Sequence, residues 1–149
     1  MRFRTRKLTK APKVPLPKLT EAQIQKTLLD HLHHRAKPGV VYWHTPNGGV
    51  RDRITGRQLK DQGVVSGVPD LLLFFRGQLY GLELKTEKGR LQPTQVKFQA
   101  ALAKQGAILA TAYGLDEALK ILLGWGVLVT AAMFEALAAK NFESEVKQG

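Results

Sequence analysis

Two acidic residues stand in apolar segments of the sequence, where a charge is least expected. Asp70 opens the apolar run 71–75, and Glu83 lies inside a second apolar run with Lys85 two residues further on. A charge inside a buried strand is costly unless it is paired or holds a metal ion. Side chains two residues apart in a strand lie on the same face, so Glu83 and Lys85 share one. We therefore predict that two neighbouring strands bring Asp70, Glu83 and Lys85 to one site.

This trio has the composition of a metal-dependent phosphodiester hydrolase. Paired carboxylates, with water in the remaining positions, suit Mg²⁺ or Mn²⁺. Such an ion lowers the pKa of a bound water and stabilises the anionic transition state of phosphodiester hydrolysis. Lys85 would then position or deprotonate the attacking water, or neutralise charge at the phosphorus centre. The Glu-x-Lys spacing alone is weak evidence for such a hydrolase. The prediction depends on Asp70, Glu83 and Lys85 occurring together in two apolar segments.

Two further polar residues lie on helix faces that are otherwise apolar. Glu21 precedes Ile24 and Leu28 at helical spacing, and Gln95 is in line with Phe98. Both are in the first turn of a predicted helix, from which they can point at a common site. A structural role remains open for each, because an acid in a first turn favours the helix dipole and a glutamine there can cap the helix.

The elements that must position these residues follow from periodicity and from turn residues. Thr20 and Gln23 form a capping box before a helix, and Arg76-Gly77-Gln78 is a hairpin-sized turn. In chain order we predict a helix from 20 to about 35, strands over 40–44, 70–75 and 79–85, a helix over 93–105, a strand over 107–111, and helices over 116–123 and 131–146. This order predicts the α/β fold class, with a small mixed β-sheet flanked by helices.

A long polar and basic segment, residues 45–69, has no clear period. A loop of that length in a compact domain is usually functional. Asn47, Gly48 and Gly49 would let the backbone approach a phosphate, and four basic residues follow them: Arg51, Arg53, Arg57 and Lys60. We predict that these seven residues contact the DNA backbone without reading its sequence. The alternative is a solvated, flexible loop.

The composition limits the class of protein. With 149 residues the chain has room for one domain, and zero cysteines exclude disulfides and thiolate chemistry. No apolar run approaches the roughly 20 residues of a membrane span, and no apolar segment follows the basic start as in a signal peptide, so we expect a cytoplasmic protein.

The net charge of +11 favours a polyanionic partner. Residues 1–18 form a basic tail without an acid, whose alternative role is to keep the protein soluble.

A series of motifs occurs in order over about residues 20–126. They are Glu21-Ala-Gln-Ile-Gln25, His44-Thr-Pro-Asn-Gly-Gly49, Leu59-Lys-Asp-Gln-Gly-Val64, Gly67-Val-Pro-Asp-Leu71, Gly81-Leu-Glu-Leu-Lys85, Gly89-Arg-Leu-Gln-Pro-Thr-Gln95 and Gly106. Together they resemble the VRR-NUC (virus-type replication–repair nuclease) family of the PD-(D/E)xK nuclease superfamily, which implies a restriction-endonuclease-like core over 19–129. The resemblance covers neither the tail nor the terminal helix, 130–149. Gln92 departs from the family, which usually has Ser or Thr there, and predicts a weaker helix cap.

The resemblance implies a role for each candidate residue. Asp70 and Glu83 would bind the metal ion, Mg²⁺ or Mn²⁺, together with the backbone carbonyl of Leu84. Lys85 would be the catalytic lysine. Glu21 would hold a metal-bound water or a second ion, and Gln95 would support the lysine. No member of this set is missing, so the resemblance implies an active enzyme.

Small stand-alone proteins similar to this family cut branched DNA, including four-way (Holliday) junctions, as homodimers. We therefore expect an endodeoxyribonuclease of DNA repair or recombination, encoded by a phage or a bacterial genome carrying one. The terminal helix is expected either to form the dimer contact or to pack on its own domain. Three alternatives stay open: a less selective flap or single-strand nuclease, a non-catalytic DNA-binding accessory protein, and a subunit that needs a partner.

Overall fold

The computed structural model of the chain describes residues 18–46, 61–133 and 135–136. Its elements, in chain order, are α1 (Glu21–Arg35), β1 (Val41–His44), β2 (Leu71–Phe75), β3 (Gln78–Lys85), α2 (Pro93–Lys104), β4 (Ile108–Tyr113) and α3 (Leu115–Gly124). Residues 131–133 and 135–136 are also helical. Most of the predicted basic tail and of the terminal helix lie outside the described residues. So do all seven predicted DNA contacts: Asn47, Gly48, Gly49, Arg51, Arg53, Arg57 and Lys60.

The four strands form one mixed sheet in the order β1-β2-β3-β4. β1, β2 and β3 pair antiparallel, whereas β3 and β4 pair parallel across the connection through α2. The turn between β2 and β3 consists of Arg76 and Gly77, both with positive φ, as a two-residue hairpin of type I′ requires. The predicted α/β class with a small mixed sheet flanked by helices is confirmed.

One face of the sheet forms the core with α1 and α3. The predicted apolar stripe of α1, Ile24, Leu28 and Leu32, is buried, and Thr20 and Gln23 form the predicted capping box. Leu73, Leu82 and the other inward residues of the strands meet this stripe in one continuous apolar cluster. The tight packing holds the ends of β2 and β3 in a fixed position relative to α1.

The opposite face of the sheet carries α2 and is less fully covered. Phe98 and Leu102, the predicted apolar residues of α2, are only half-buried, and the helix has no fully buried residue. Near the β1 edge of this face, Val41, Trp43 and Phe74 are exposed. The first turn of α2 lies at the end of the sheet that holds the acidic residues, where Gln95 reaches Glu83.

The observed boundaries differ from the predicted ones most clearly at β4. The strand extends to Tyr113, two residues beyond the predicted end, because its pairing with β3 continues until Lys85 lies opposite Tyr113. The other named helices and strands, α1 to α3 and β1 to β3, begin and end within one residue of the prediction, whereas the predicted end of the terminal helix lies outside the described residues. No helix in the described part of the chain is long and apolar enough to cross a bilayer.

Candidate active site

Glu83 and Asp70 meet because of the register between β2 and β3. Leu71 pairs with Leu82, so one further step along both strands places Asp70 opposite Glu83. Side chains at opposed positions of an antiparallel pair lie on the same face, with their Cβ atoms about 5 Å apart. Glu83 is 0% exposed, although it is charged. The predicted juxtaposition of the two carboxylates is confirmed.

Asp70 is fixed by hydrogen bonds through both its side chain and its backbone. Its carboxylate Oδ2 accepts from the backbone N–H of Leu84 at 2.9 Å. Its backbone carbonyl accepts from the N–H of Thr45 at 2.9 Å and from Nδ1 of His44 at 3.0 Å. Asp70 therefore connects the ends of β1 and β3, although it lies outside the regular strand pairing. Its Oδ1 is not used in the hydrogen bond to Leu84.

Lys85 is the cation of the site. Its Nζ donates to Glu83 Oε1 at 2.6 Å, and the side chain is 10% exposed. Burial lowers the pKa of Lys85, but the hydrogen bond to Glu83 and the charges of Glu83, Glu21 and Asp70 outweigh it and raise the pKa above its ordinary value of 10.5. Lys85 is thus a protonated, nearly buried ammonium surrounded by carboxylates.

The pKa of Glu83 is raised above its ordinary value of 4.5. Burial is the largest cause, and the neighbouring carboxylate of Asp70 adds to it, whereas the hydrogen bond and charge of Lys85 work in the opposite direction. Lys85 therefore does not offset the cost of burying the charged form of Glu83 beside Asp70. A bound cation would offset that cost.

Gln95 reaches the same carboxylate from the first turn of α2. Its Nε2 donates to Glu83 Oε1. Its own Oε1 accepts from the backbone N–H of Gln92 at 2.8 Å, which caps the helix. Gln95 therefore caps the helix and also contacts Glu83, so its amide joins the start of α2 to Glu83, whereas its role in a reaction stays a prediction.

Glu21 approaches from the opposite side, at the first residue of α1. Its carboxylate Oε1 accepts from the backbone N–H of Thr86 at 3.2 Å, directly after Lys85. Glu21 is exposed, so the prediction that it continues the apolar stripe of α1 is wrong about the burial of its side chain. The stripe ends at Ile24 because the core ends there, and one turn earlier the same helix face borders an open cleft.

The cleft is a cavity of about 640 Å³ at the end of the sheet. It brings together all five predicted side chains and the predicted backbone ligand: Glu21, Asp70, Glu83, Leu84, Lys85 and Gln95. α1 forms one wall and α2 contributes Gln95 from the other face of the sheet. Three polar residues that the sequence analysis did not select also line it, namely Gln25, Lys26 and His44.

His44 was included in a motif but was not assigned a role. The carbonyl of Asp70 can only accept a hydrogen bond, so Nδ1 of His44 carries the hydrogen in this contact. The sequence position of His44 could have indicated this contact, because His44 ends β1 at the same end of the sheet where Asp70 directly precedes β2. The contact itself depends on the pairing of His44 with Leu71, which spans 26 residues of intervening sequence.

The donor set fits a divalent cation. Oε2 of Glu83 is buried and has no hydrogen-bond partner among the described residues. The N–H of Leu84 points to Asp70, whereas the carbonyl of Lys85 accepts from Gly114 on the β4 side. Because backbone groups of successive strand residues point to opposite edges, the Leu84 carbonyl faces Asp70. Within the described ranges no cluster of three or more His, Asp or Glu side chains is suited to a metal ion, so water would complete the shell.

A close backbone contact fixes the position of Gln95, and it leads to a testable prediction. A Cβ on Gly67 would lie 2.3 Å from the carbonyl oxygen of Thr94, and φ at Gly67 is +87°. We expect Gly67→Ala to displace the first turn of α2 and weaken the contact between Gln95 and Glu83. Gly63→Ala is the matched control, since φ there is +82° but nothing lies within 4 Å of a Cβ.

Both alanine variants should lose about 1–2 kcal/mol of stability through the positive φ alone. Gly67→Ala should lose at least as much again, as measured by urea unfolding, and should shift the side-chain amide signals of Gln95 in NMR spectra. Equal stability and unshifted amide signals in the two variants would contradict the positioning role.

The fold and this cluster of carboxylates and lysine define a nuclease-type domain. The chain belongs to the VRR-NUC domain family, which matches residues 19–116, about two-thirds of its length. A solved structure described as a VRR_NUC domain protein is similar, with a TM-score of 0.58 and 20% identity over 72% of this chain and 88% of that one. A second, described as a VRR_NUC domain, has a TM-score of 0.46 and 21% identity over 68% and 92%. Comparison with curated proteins gives no match.

Proposed function

We propose that the protein is a divalent-metal-dependent, structure-specific DNA endonuclease that hydrolyses phosphodiester bonds in branched DNA, with four-way junctions as its substrate. The observation that carries the proposal is the buried Glu83, whose Oε2 has no partner in the described part of the chain and which stands beside Asp70 and Lys85. A structural role alone would not favour keeping such a group, because a buried, unpartnered carboxylate oxygen is costly.

The metal ion, Mg²⁺ or Mn²⁺, would be held by the carboxylates of Asp70 and Glu83 and by the Leu84 carbonyl, with Glu21 contributing through water. These are hard oxygen donors with room for water. When bound, the ion supplies Lewis-acid stabilisation of the phosphate and a water of lowered pKa. The hydrogen bond from Leu84 N–H to Asp70 holds one ligand in place.

Lys85 and Gln95 would prepare the site for the phosphate. Lys85 brings a positive charge to the developing charge on the phosphorus centre, where preorganised charge stabilises a transition state most effectively. Gln95 contacts the same Glu83 oxygen as Lys85, and so it limits the rotation of the Glu83 carboxylate. In this proposal Gln95 is a positioning residue.

The substrate and assembly rest on charge and symmetry. The net charge of +11 suits a polyanion, and the basic tail and the loop with Arg51, Arg53, Arg57 and Lys60 would add phosphate contacts outside the cleft. A homodimer would present two cleavage sites related by a two-fold axis, which matches the two symmetric strands of a four-way junction. The terminal helix, 130–149, would take part in that dimer. Action on DNA would occur in the cytoplasm of a bacterial or phage-infected cell.

The decisive experiment incubates the purified protein with labelled four-way junction, flap, single-stranded and linear duplex DNA in Mg²⁺, Mn²⁺ or EDTA. Asp70→Ala, prepared identically, excludes a contaminating nuclease. Asp30→Asn is the matched control, because Asp30 is an exposed acid of α1 paired with Lys26. We expect paired, metal-dependent cuts in the junction by the wild type and by Asp30→Asn, and none by Asp70→Ala.

The other outcomes identify the competing functions. Cuts in flaps or single strands at the same rate as in junctions indicate a less selective nuclease using the same residues. Equal DNA binding by wild type and Asp70→Ala, with no cut in any substrate, contradicts a stand-alone enzyme. Titrating in candidate partner proteins then separates a partner-dependent subunit from an accessory DNA-binding protein.

A further inference from the structure

A second cavity, of about 660 Å³, lies beside the cleft. Its lining includes Leu19, Thr86, Lys88, Tyr113, Gly114 and Asp116. No residue that lines it belongs to the catalytic set described above. Cavities of this size are typical of sites that bind small ring systems.

The two cavities are joined by direct contacts. The N–H of Thr86, which lines the second cavity, donates to Glu21 in the cleft at 3.2 Å. The N–H of Gly114 donates to the carbonyl of Lys85 at 3.0 Å. Since β3 and β4 are parallel, their ends lie at the same edge of the sheet. A nucleic acid strand with its phosphate in the cleft would therefore pass next to the second cavity.

The lining combines features that suit a nucleobase. Tyr113 and Leu19 are 44% and 42% exposed, so an aromatic ring and an aliphatic side chain are available to a ligand. An added Cβ at Gly114 would meet nothing within 4 Å, so the backbone there is open to close approach. Asp116 offers a carboxylate acceptor for an exocyclic amine of a base. Lys88 adds one positive charge to the rim, where Lys18 forms an exposed ion pair with Glu87.

We propose that this cavity binds an unpaired nucleobase adjacent to the phosphate cut in the cleft, with the Tyr113 ring stacking on the base. The inference rests on the proposed nuclease function and deepens it. A paired base inside a duplex cannot enter such a cavity without leaving its stack, whereas single strands supply unpaired bases and a base pair at a branch point can open to supply one. Stacking on an aromatic side chain tolerates any base, so the cavity would select for DNA structure without sequence preference.

The test measures equilibrium DNA binding in EDTA, with the intactness of the DNA checked on a denaturing gel. The probes are oligonucleotides that carry 2-aminopurine at one unpaired position, and a fully paired duplex of the same length. The variants are Tyr113→Ala and Tyr113→Phe, which keeps the ring. Phe74→Ala is the matched control, since Phe74 is 46% exposed on another strand and does not line either cavity.

We expect Tyr113→Ala to weaken binding of the probe with unpaired bases about tenfold, as is typical for loss of a stacking aromatic. It should also abolish the quenching of 2-aminopurine, while duplex binding stays within twofold of the wild type. Tyr113→Phe and Phe74→Ala should behave as the wild type. The inference is overturned if Tyr113→Ala leaves both affinity and quenching unchanged, or if it weakens duplex binding equally.

Junction cleavage by the wild type, measured separately in Mg²⁺, distinguishes failure of this inference from failure of the proposed function. If the wild type cuts junctions and Tyr113→Ala binds and quenches normally, only the base-binding cavity is wrong. If the wild type neither cuts nor binds any DNA, the nuclease proposal fails, and the base-binding cavity fails with it.

Discussion

Lys85→Met is expected to reduce DNA cleavage by at least about a hundredfold, because it removes the one cation that the described structure places on Glu83. A positioned group that transfers a proton or stabilises charge in the transition state contributes typically ~10²–10⁴-fold. Methionine fills a similar length without charge or donors, so the loss should lie in the rate of cleavage. DNA binding in EDTA should change much less, since the proposed phosphate contacts of the basic tail and loop lie outside the cleft.

The same substitution should also raise the pKa of Glu83. Lys85 is the group that lowers the pKa of Glu83, against burial and Asp70, which raise it. In Lys85→Met the carboxyl should therefore hold its proton to higher pH than in the wild type, as observed by NMR titration of the labelled glutamate. Lys120→Met, at an exposed position of α3, is the control for the loss of one positive charge. Cleavage by Lys85→Met at more than about a tenth of the wild-type rate would contradict the assigned role.

Much of the site was predictable because its residues lie in local patterns. Asp70 and Glu83 are acids in apolar runs, and a two-residue hairpin fixes the register between those runs. Once the turn at Arg76 and Gly77 is identified, counting along the strands places the two carboxylates opposite each other. The alternation within β3 puts Lys85 on the same face as Glu83, and the observed ion pair follows.

The remaining parts of the site depend on contacts between distant segments. Glu21 and Thr86 are 65 residues apart, and nothing in either segment specifies that they meet. The role of His44 likewise requires β1 to pair with β2 rather than with another strand. The exposure of Glu21 was missed because helical periodicity gives the direction of a side chain but not the point at which the core ends. These features come from tertiary packing, which a single sequence does not encode in any short pattern.

The balance of charge explains why a cation fits this cleft. Lys85 is surrounded by the carboxylates of Glu83, Glu21 and Asp70, all of which raise its pKa. The folded protein therefore places three carboxylates around one nearly buried ammonium, and it buries Glu83 where solvent does not screen its charge. A proton on Glu83 or a bound dication would relieve the cost of burying this charge, and the two should compete.

This competition predicts how stability depends on pH and on metal ions. In metal-free buffer the folded state raises the pKa of Glu83 above its ordinary value of 4.5, so between these two pKa values the folded protein binds more protons than the unfolded chain. The contribution of Glu83 to stability is therefore full below about pH 4.5 and is lost as the pH rises through the folded pKa. Lys85, whose pKa is raised from 10.5, adds no slope until far more alkaline pH. Glu83→Gln should remove this slope, and Glu135→Gln, at an exposed position, should keep it.

Mn²⁺ or Mg²⁺ should reverse that loss at neutral and higher pH. A ligand at a hundred times its dissociation constant stabilises a protein by about 2.7 kcal/mol, which corresponds to a rise in Tm of about 5–10 °C for a domain of this size. We expect this rise in the wild type and in Glu135→Gln, and its absence in Glu83→Gln and Asp70→Asn, measured by calorimetry at pH 5 and pH 8. The rise should be smaller at pH 5, because the metal ion must displace the proton from Glu83. An equal rise at both pH values, or one that survives in Glu83→Gln, would show that the ion binds elsewhere and that the buried carboxylate is not its ligand.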